Sequence, residues 1–147
     1  MLIIAAASRA NVKVASNSTP LDGVLEKLQT AFPGIPKSIE QVRNTLMTEG
    51  KDEAVASVIR LCSSLLRDNP SDLGRILPIA SQAASQAGWT TFVARPGERF
   101  DSRLHRMAGG ERHRTREEID TVAKPVGIGI LDQAGETVVP ADVVIFA

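Results

Sequence analysis

The hydrophobic pattern of this chain changes its period at one point, near Gly88. Before that residue, apolar side chains recur every three or four positions, which is the spacing of one face of an α-helix. After it, short runs rich in β-branched residues lie between Gly and Pro turns, as in strands. The change predicts an α+β fold: an N-terminal helical bundle of about four helices over residues 20–88, then a small antiparallel β domain with a charged loop over residues 89–147.

Residues 1–19 fit either a helix or a short strand, and the sequence does not choose between them. No positive residue precedes their short apolar run, so they do not resemble an export signal. No stretch of the chain approaches the roughly 18 apolar residues of a membrane span. Cys62 is the single cysteine and cannot form an internal disulfide, which suits a reducing compartment. Together these features predict a cytoplasmic protein without membrane contact.

The second helix carries the most specific end signals. Ser38 followed by Gln41 matches a capping box, in which each side chain satisfies a backbone N–H group at the helix start. Gly50 is placed to end this helix in a left-handed conformation. The residues expected to face inward are Ile39, Val42, Leu46 and Met47.

Two residues in the third and fourth helices differ from the surrounding aliphatic pattern. Cys62 lies on the apolar face of the third helix, so we expect a buried small hydrophobe rather than a reactive thiol. Pro78 lies inside the fourth helical region, residues 70–87. Because proline removes one backbone donor and crowds the preceding turn, it is expected to kink or split this helix.

The β half is expected to hold short strands, one short helix and a solvated, mobile loop. In chain order these are a strand at 89–94, a helix at 102–107, the loop at 111–118, and strands near 119–123, 126–131 and 137–146. Asp101 is placed to cap the helix. Gly135 suits a hairpin turn that needs a positive φ. Pro140 cannot donate to a ladder, so its strand is an edge or is bent there.

Three small motifs invite a chemical interpretation. His105 and His113 provide two metal ligands where three or four must converge, so no metal or other cofactor is expected. Asp101 and His105 could form an acid–base pair, but no nucleophile signature accompanies them, which favours a non-enzymatic protein. Residues 127–129, Gly-Ile-Gly, lack the third glycine and the helix of a phosphate loop. They predict a bend or a close approach of two backbones.

Seven arginines fall within 22 residues, against three carboxylates, a local excess of four positive charges. They are Arg95, Arg99, Arg103, Arg106, Arg112, Arg114 and Arg116. Arginine forks suit carboxylate or phosphate partners, so an acidic protein surface or a nucleic acid could dock here. A solvated charged loop is the other interpretation. A formal net charge of zero and 3% aromatic residues argue against nucleic acid and leave a protein as the expected partner.

The C-terminal third resembles the β head of the GrpE family, the nucleotide-exchange factors of DnaK-type chaperone ATPases. The resemblance rests on a helix ending in Gly88 and on two further groups of residues. These are Gly97, Glu98, Phe100, Asp101, Leu104 and His105, and then Gly135, Pro140, Ala141 and the alternation at 143–145. It implies a small β domain after dimerising helices, hence a possible homodimer, and a nucleotide-exchange co-chaperone that binds a chaperone ATPase.

The chain departs from the family pattern in its closing hairpin. Glu136 and Val139 stand where the family favours basic residues on the face that meets the ATPase. If the head binds a partner, the arginines are therefore the better candidates, namely Arg99, Arg103, Arg106, Arg112, Arg114 and Arg116. The alternative function is an adaptor, or an accessory domain of a larger assembly, that docks an acidic protein surface through this Arg-rich loop.

Overall fold

Four α-helices form the first half of the structure, a computed structural model that describes residues 20–147. The helices are α1 (Pro20–Ala31), α2 (Pro36–Glu49), α3 (Lys51–Asp68) and α4 (Leu73–Ser85), with a 3₁₀ turn at Pro70–Asp72. Along the chain each helix packs on the next, and α4 also packs on α1. The predicted number of helices is confirmed. The ambiguity over residues 1–19 lies outside the described residues.

The start of α2 differs from the predicted capping box. Pro36 occupies the first turn, where its fixed φ starts the helix two residues before Ser38, and no side chain caps this end. Gly50 has a φ of 98° and donates its N–H to the Thr45 carbonyl, so it does end the helix with a positive φ. Its ψ of 178° places it outside the left-handed helical region that we expected.

Met47 does not face inward as predicted, since it is 85% exposed. Ile39 and Val42 are buried, and Leu46 packs against the same core. Adjacent helical residues point about 100° apart, because one turn holds 3.6 residues. Leu46 continues the buried stripe, and that leaves Met47 in solvent.

Pro78 does not split α4, which runs unbroken from Leu73–Ser85. The carbonyl that loses a hydrogen bond to proline is four residues earlier, at Gly74 in the first turn. Both Gly74 and Pro78 are exposed, so water can solvate the freed carbonyl. The helix therefore tolerates the residue that was expected to divide it.

Within residues 20–147, six strands form two three-stranded sheets. They are β1 (Thr90–Phe92), β2 (His105–Glu111), β3 (Val122–Pro125), β4 (Gly129–Leu131), β5 (Thr137–Val139) and β6 (Ala141–Phe146). The first sheet has the order β1-β4-β5 and is antiparallel. The second has the order β2-β6-β3, with β3 antiparallel and β2 parallel to β6. The α+β layout is confirmed, and β2 is the one described strand that departs from antiparallel pairing.

The predicted helix at residues 102–107 is wrong. The backbone N–H groups of Leu104 and His105 both donate to the Asp101 carbonyl, which closes a turn, and β2 begins directly after it. Pairing with β6 decides the conformation of β2, because a six-residue helix has little stability of its own. Asp101 still caps the turn, since its Oδ1 accepts the Arg103 backbone N–H at 2.9 Å.

The remaining strands are shorter than predicted, and the last is divided. The strand predicted at 119–123 is shifted along the chain and forms β3 at Val122–Pro125, and only the end of the strand predicted at 126–131 forms β4. The chain leaves the first sheet after β5, passes Pro140 and enters the second sheet as β6, so the predicted interruption at Pro140 is confirmed. The charged loop ends in a 3₁₀ turn, Arg116–Glu118, closed by a capping box between Thr115 and Glu118.

Two hydrophobic clusters fill the interior of the part of the chain that the structure describes. The larger joins all four helices to Ile128 and Ile130, so the first sheet and the helices share one core. Cys62 is fully buried in it, as predicted. The smaller cluster lies against the second sheet and consists of Ala94, Val122, Val143 and Ile145, with Phe100 packed on it. No helix within residues 20–147 is long and apolar enough to cross a bilayer.

Candidate functional site

The segment of residues 95–105 is held against the start of β3. Gly97, at a φ of 88°, donates its N–H to the Val122 carbonyl at 2.7 Å. Phe100 donates to the Asp120 carbonyl at 2.9 Å and packs on the smaller core cluster. The first half of the family-like pattern therefore supports the second sheet.

The carboxylate of Asp101 is committed to Arg103. Its two oxygens accept hydrogen bonds from the Arg103 side chain at 3.2 and 3.1 Å, besides the backbone bond that caps the turn. Hydrogen bonds from the Arg103 side chain and backbone hold the pKa of Asp101 below its ordinary value. His105 Nδ1 contacts the Asp101 backbone N–H instead, at 3.0 Å. The acid–base pair suggested by the spacing is thus not formed by the two side chains.

The His105 ring is buried inside this turn, with 1% of its side chain exposed. It lies 5.9 Å from the Phe100 ring, centroid to centroid. Because Nδ1 accepts a hydrogen bond, a neutral ring carries its proton on Nε2. Nε2 lies 3.5 Å from Glu98 Oε2 and, within residues 20–147, has no partner in hydrogen-bond geometry. His105 therefore serves the packing of the turn and is closed off from solvent.

One carboxylate, that of Asp132, stabilises the turn of the hairpin between β4 and β5. Asp132 Oδ1 accepts the backbone N–H groups of Ala134 and Glu136, each at 2.9 Å. Gly135 between them has a φ of 81°, which confirms the predicted turn. Glu136 is exposed, so this side of the hairpin carries a negative charge.

The hairpin and the 101–104 turn enclose an open cleft of about 630 Å³. Thr137 Oγ1 donates to the Arg103 carbonyl at 2.7 Å, and Ala141, next to Pro140, donates to the Leu104 carbonyl at 2.8 Å. The cleft is lined by Asp101, Arg103, Leu104, Ala134, Gly135, Glu136 and Thr137. The structure thus brings the two halves of the family-like pattern into one unit, although the sequence separates them by about 30 residues.

Three of the predicted partner-binding arginines have partners within the chain. Arg103 pairs with Asp101, Arg106 with Asp142, and Arg114 with Glu118. Hydrogen bonds from the backbone N–H groups of Arg114 and Thr115 hold the pKa of Glu118 below its ordinary value. The three guanidinium groups stay at the surface, with 87%, 68% and 81% of their side chains exposed. In each ion pair, a carboxylate offsets the positive charge that the arginine gives to the surface.

The other arginines of the segment are exposed, and their side chains form no ion pair or hydrogen bond within residues 20–147. They are Arg95, Arg99, Arg112 and Arg116. Arg99 pairs by backbone with Thr121, whose hydroxyl donates to the carbonyl of Glu118. The end of the charged loop therefore lies beside Arg99, where Glu117 and Asp120 are exposed as well.

Two partly buried polar contacts were not predicted from the sequence. Asp142, in β6, binds Arg106 through both oxygens at 2.7 and 2.9 Å and lies 3.7 Å from Arg67 of α3. The hydrogen bonds and charge of Asp142 raise the pKa of Arg106. Ser63 Oγ accepts the N–H of buried Ile128 at 2.9 Å. The sequence offered a signal for the contact between Asp142 and Arg106, because Asp142 is a carboxylate inside an apolar strand. It offered no signal for the contact between Ser63 and Ile128.

The described part of the chain brings together no set of three or more His, Cys, Asp or Glu side chains able to hold a metal ion. Cys62 is not a candidate nucleophile, since burial raises the pKa of its thiol to about 12. His113 Nδ1 lies 2.5 Å from the Ala147 carbonyl oxygen, far from the turn that holds His105.

A comparison of the chain with known protein families finds no match, and a comparison with curated proteins finds none either.

Proposed function

We propose that this chain is a non-enzymatic interaction protein that acts as a nucleotide-exchange co-chaperone of a DnaK-type ATPase. The observation that supports this function is the unit formed by the 95–105 segment and the closing hairpin. Gly97, Phe100, Asp101, His105, Gly135 and Pro140 all lie within it. The order of elements, helices and then a small β head, also agrees with the resemblance.

The physical mechanism requires binding and no catalytic group. A head that fits the open form of a two-lobed ATPase better than the closed form shifts the population toward the open form. The ATPase then holds its nucleotide less tightly, and the nucleotide weakens binding of the head by the same factor.

Saturating amounts of the chain are expected to weaken nucleotide binding to a DnaK-type ATPase by about 5- to 150-fold, the usual range of coupling between two sites. The measurement is a titration of the ATPase with fluorescent ADP, with and without the chain, together with stopped-flow release. The reciprocal titration should give the same factor. Unchanged nucleotide affinity at saturating chain would contradict the proposal.

A matched pair of variants locates the effect in the head. Phe100→Ala removes a ring that packs on the smaller cluster, whereas Phe32→Ala removes a comparable ring from the helical core. We expect Phe100→Ala to lose the coupling and Phe32→Ala to keep it, with circular dichroism confirming that both variants stay folded. Equal losses would show that the head is not the contact.

Exposed arginine side chains that form no ion pair favour a second candidate function, an adaptor that docks an acidic protein. Its supporting observation is that Arg99, Arg112 and Arg116 are exposed and that their side chains have no hydrogen-bond or ion-pair partner within residues 20–147. Guanidinium groups not already paired are free to meet carboxylates of another protein. This function requires no ATPase, so the nucleotide titration separates it from the first.

Reversing Arg112 and Arg116 to Glu is expected to abolish capture of an acidic partner from native lysate, and raising the salt concentration is expected to weaken capture by the wild type. The control reverses Lys37 and Lys51, which are exposed on the helices. The readout is quantitative mass spectrometry of the captured proteins. Equal capture by both double variants, or capture insensitive to salt, would argue against the adaptor.

A further inference from the structure

The strand β2 is an edge of the second sheet, and its outer side is open. It pairs with β6 alone among residues 20–147. Except for buried His105 and half-buried Gly109, its residues are exposed, and Met107 is 58% exposed. The His105 N–H is already bonded to the Asp101 carbonyl, so the open edge is residues 106–111, whose outward N–H and C=O groups can accept another strand.

The direction of these backbone groups follows from the ends of the strand. The Leu104 carbonyl accepts the Ala141 N–H, and the Glu111 carbonyl accepts the Ala147 N–H, so both residues point toward β6. Alternation along the strand then turns Arg106 and Gly109 toward β6 as well.

A β-bulge interrupts the strand between Met107 and Gly109. The register with β6 skips one residue between Met107 and Gly109, so Ala108 is the extra residue of the bulge. The bulge reverses the alternation, which places Met107 and Gly110 with their backbone groups pointing outward. The outward positions of the strand that remain free are 107 and 110, because the His105 N–H is bonded to the Asp101 carbonyl.

This outward set is symmetric about the midpoint between Ala108 and Gly109. An antiparallel copy of β2 centred there matches outward groups with outward groups, placing Met107 opposite Gly110. Shifting the register by one residue places Met107 opposite an inward position and removes the match. A regular strand without a bulge could pair with its own copy in several registers, because every second residue would point outward.

Charge and shape agree with the same register. It places Arg106 opposite Glu111 of the other copy, and the two-fold axis repeats that pair. Each side chain also has an ion pair in its own chain, Arg106 with Asp142 and Glu111 with Lys124 at 4.0 Å. Opposite charges facing each other across strands stabilise the pairing. Gly110 has no side chain to obstruct Met107, and a Cβ built at Gly110 has its nearest neighbour at 3.8 Å within its own chain.

We propose that two copies of this chain associate through β2, antiparallel and centred between Ala108 and Gly109, so that the second sheets of the two copies become one six-stranded sheet. This association is independent of the proposed function. It uses a surface different from the helices through which the family resemblance implies dimerisation. The contact involves one strand from each copy, so the association is weak and depends on concentration.

Disulfide cross-linking tests the register with the full chain. In the proposed pairing the Cα atoms of Met107 and Gly110 of the other copy lie about 5.5 Å apart, within disulfide reach. The two copies of Met107 are three positions apart along the strand, about 10 Å, which is out of reach. Cys62 adds little background because it is fully buried and its thiol pKa is about 12.

A mixture of Met107→Cys and Gly110→Cys chains is expected to form a disulfide dimer at least about tenfold faster than either variant alone. Mass spectrometry identifies the mixed species, and circular dichroism confirms that each variant is folded. Equal rates in the mixture and the single variants, or no cross-linking at millimolar concentration, would overturn the proposal.

A charge substitution provides a second test that leaves the core intact. Glu111→Lys puts a lysine opposite Arg106 at both symmetry-related sites and is expected to lower the yield of the mixed disulfide about tenfold. Glu117→Lys makes the same charge change at an exposed position outside the strand and is expected to leave the yield within about twofold. Equal yields from the two variants would count against the register.

Discussion

Replacing Gly129 with valine is expected to lower the free energy of unfolding by about 3 kcal/mol or more, at the upper end of the cost of overpacking a core. A Cβ at this position would overlap Cε1 and Cζ of Phe92 and lie 2.9 Å from the Ala141 backbone nitrogen. The Phe92 ring could rotate away, but the backbone of β6 cannot move without disturbing the second sheet. Urea unfolding followed by circular dichroism measures the change.

A second glycine provides the control. Gly109 also lies in a strand, and a Cβ built there has its nearest neighbour, Val144 Cγ2, at 3.7 Å, an ordinary contact. Gly109→Ala is therefore expected to change the free energy of unfolding by no more than about 1 kcal/mol in either direction. If Gly129→Val proved as mild as this control, the close approach of β4 and β6 would be refuted.

Truncating Ile130 to alanine is expected to cost about 2–5 kcal/mol of unfolding free energy, the range for removing a large aliphatic side chain from a core. Ile130 is fully buried and belongs to the larger hydrophobic cluster, to which all four helices contribute residues. A cavity beside this strand should therefore weaken the helices as well as the first sheet. The helical signal at 222 nm reports the helices, and fluorescence of Trp89, beside β1, reports the sheet.

Val138→Ala is the matched control for Ile130→Ala. Val138 lies in the neighbouring strand β5 and is 44% exposed, so its truncation is expected to cost less than about 0.5 kcal/mol. Both probes should move together in Ile130→Ala. A shift confined to the Trp89 signal would mean that helices and sheet unfold as separate units.

Helix positions were predictable because each helix carries its own signal. Local spacing of apolar residues decided which face is buried, and Gly50, with its positive φ, ended α2 close to where we expected. The errors have local causes too. Pro36 starts α2 two residues before Ser38, so the cap expected there does not form. Met47 lies on the adjacent side of the helix, which faces solvent.

The second sheet was harder to predict because its pairing is long-range. β2 contains Ala108, Gly109 and Gly110, which favour neither helix nor strand strongly, and its partner β6 lies about 35 residues further along. Nothing in the local pattern shows that β2 is parallel to β6 or that it holds a bulge. Tertiary pairing decided these features.

The candidate site was predictable in composition but not in detail. The concentration of arginines was visible in the sequence, whereas their division into paired and unpaired groups depends on which carboxylates the fold brings near. Arg106 illustrates this, since its partner Asp142 is 36 residues away and buried in another strand. Spacing alone had instead suggested Asp101 and His105 as a pair, and the turn directs that carboxylate to Arg103.

The central position of β6 has a consequence for biosynthesis. Within residues 20–147, β2 and β3 each find their strand partner in β6, which follows both in the chain. Ribosomes add about 5–20 residues per second, so β2 and β3 wait for seconds before residues 141–146 are synthesised and leave the exit tunnel. The second sheet therefore assembles in one late step, and the time needed to translate residues 112–146 sets how long β2 stays without its strand partner.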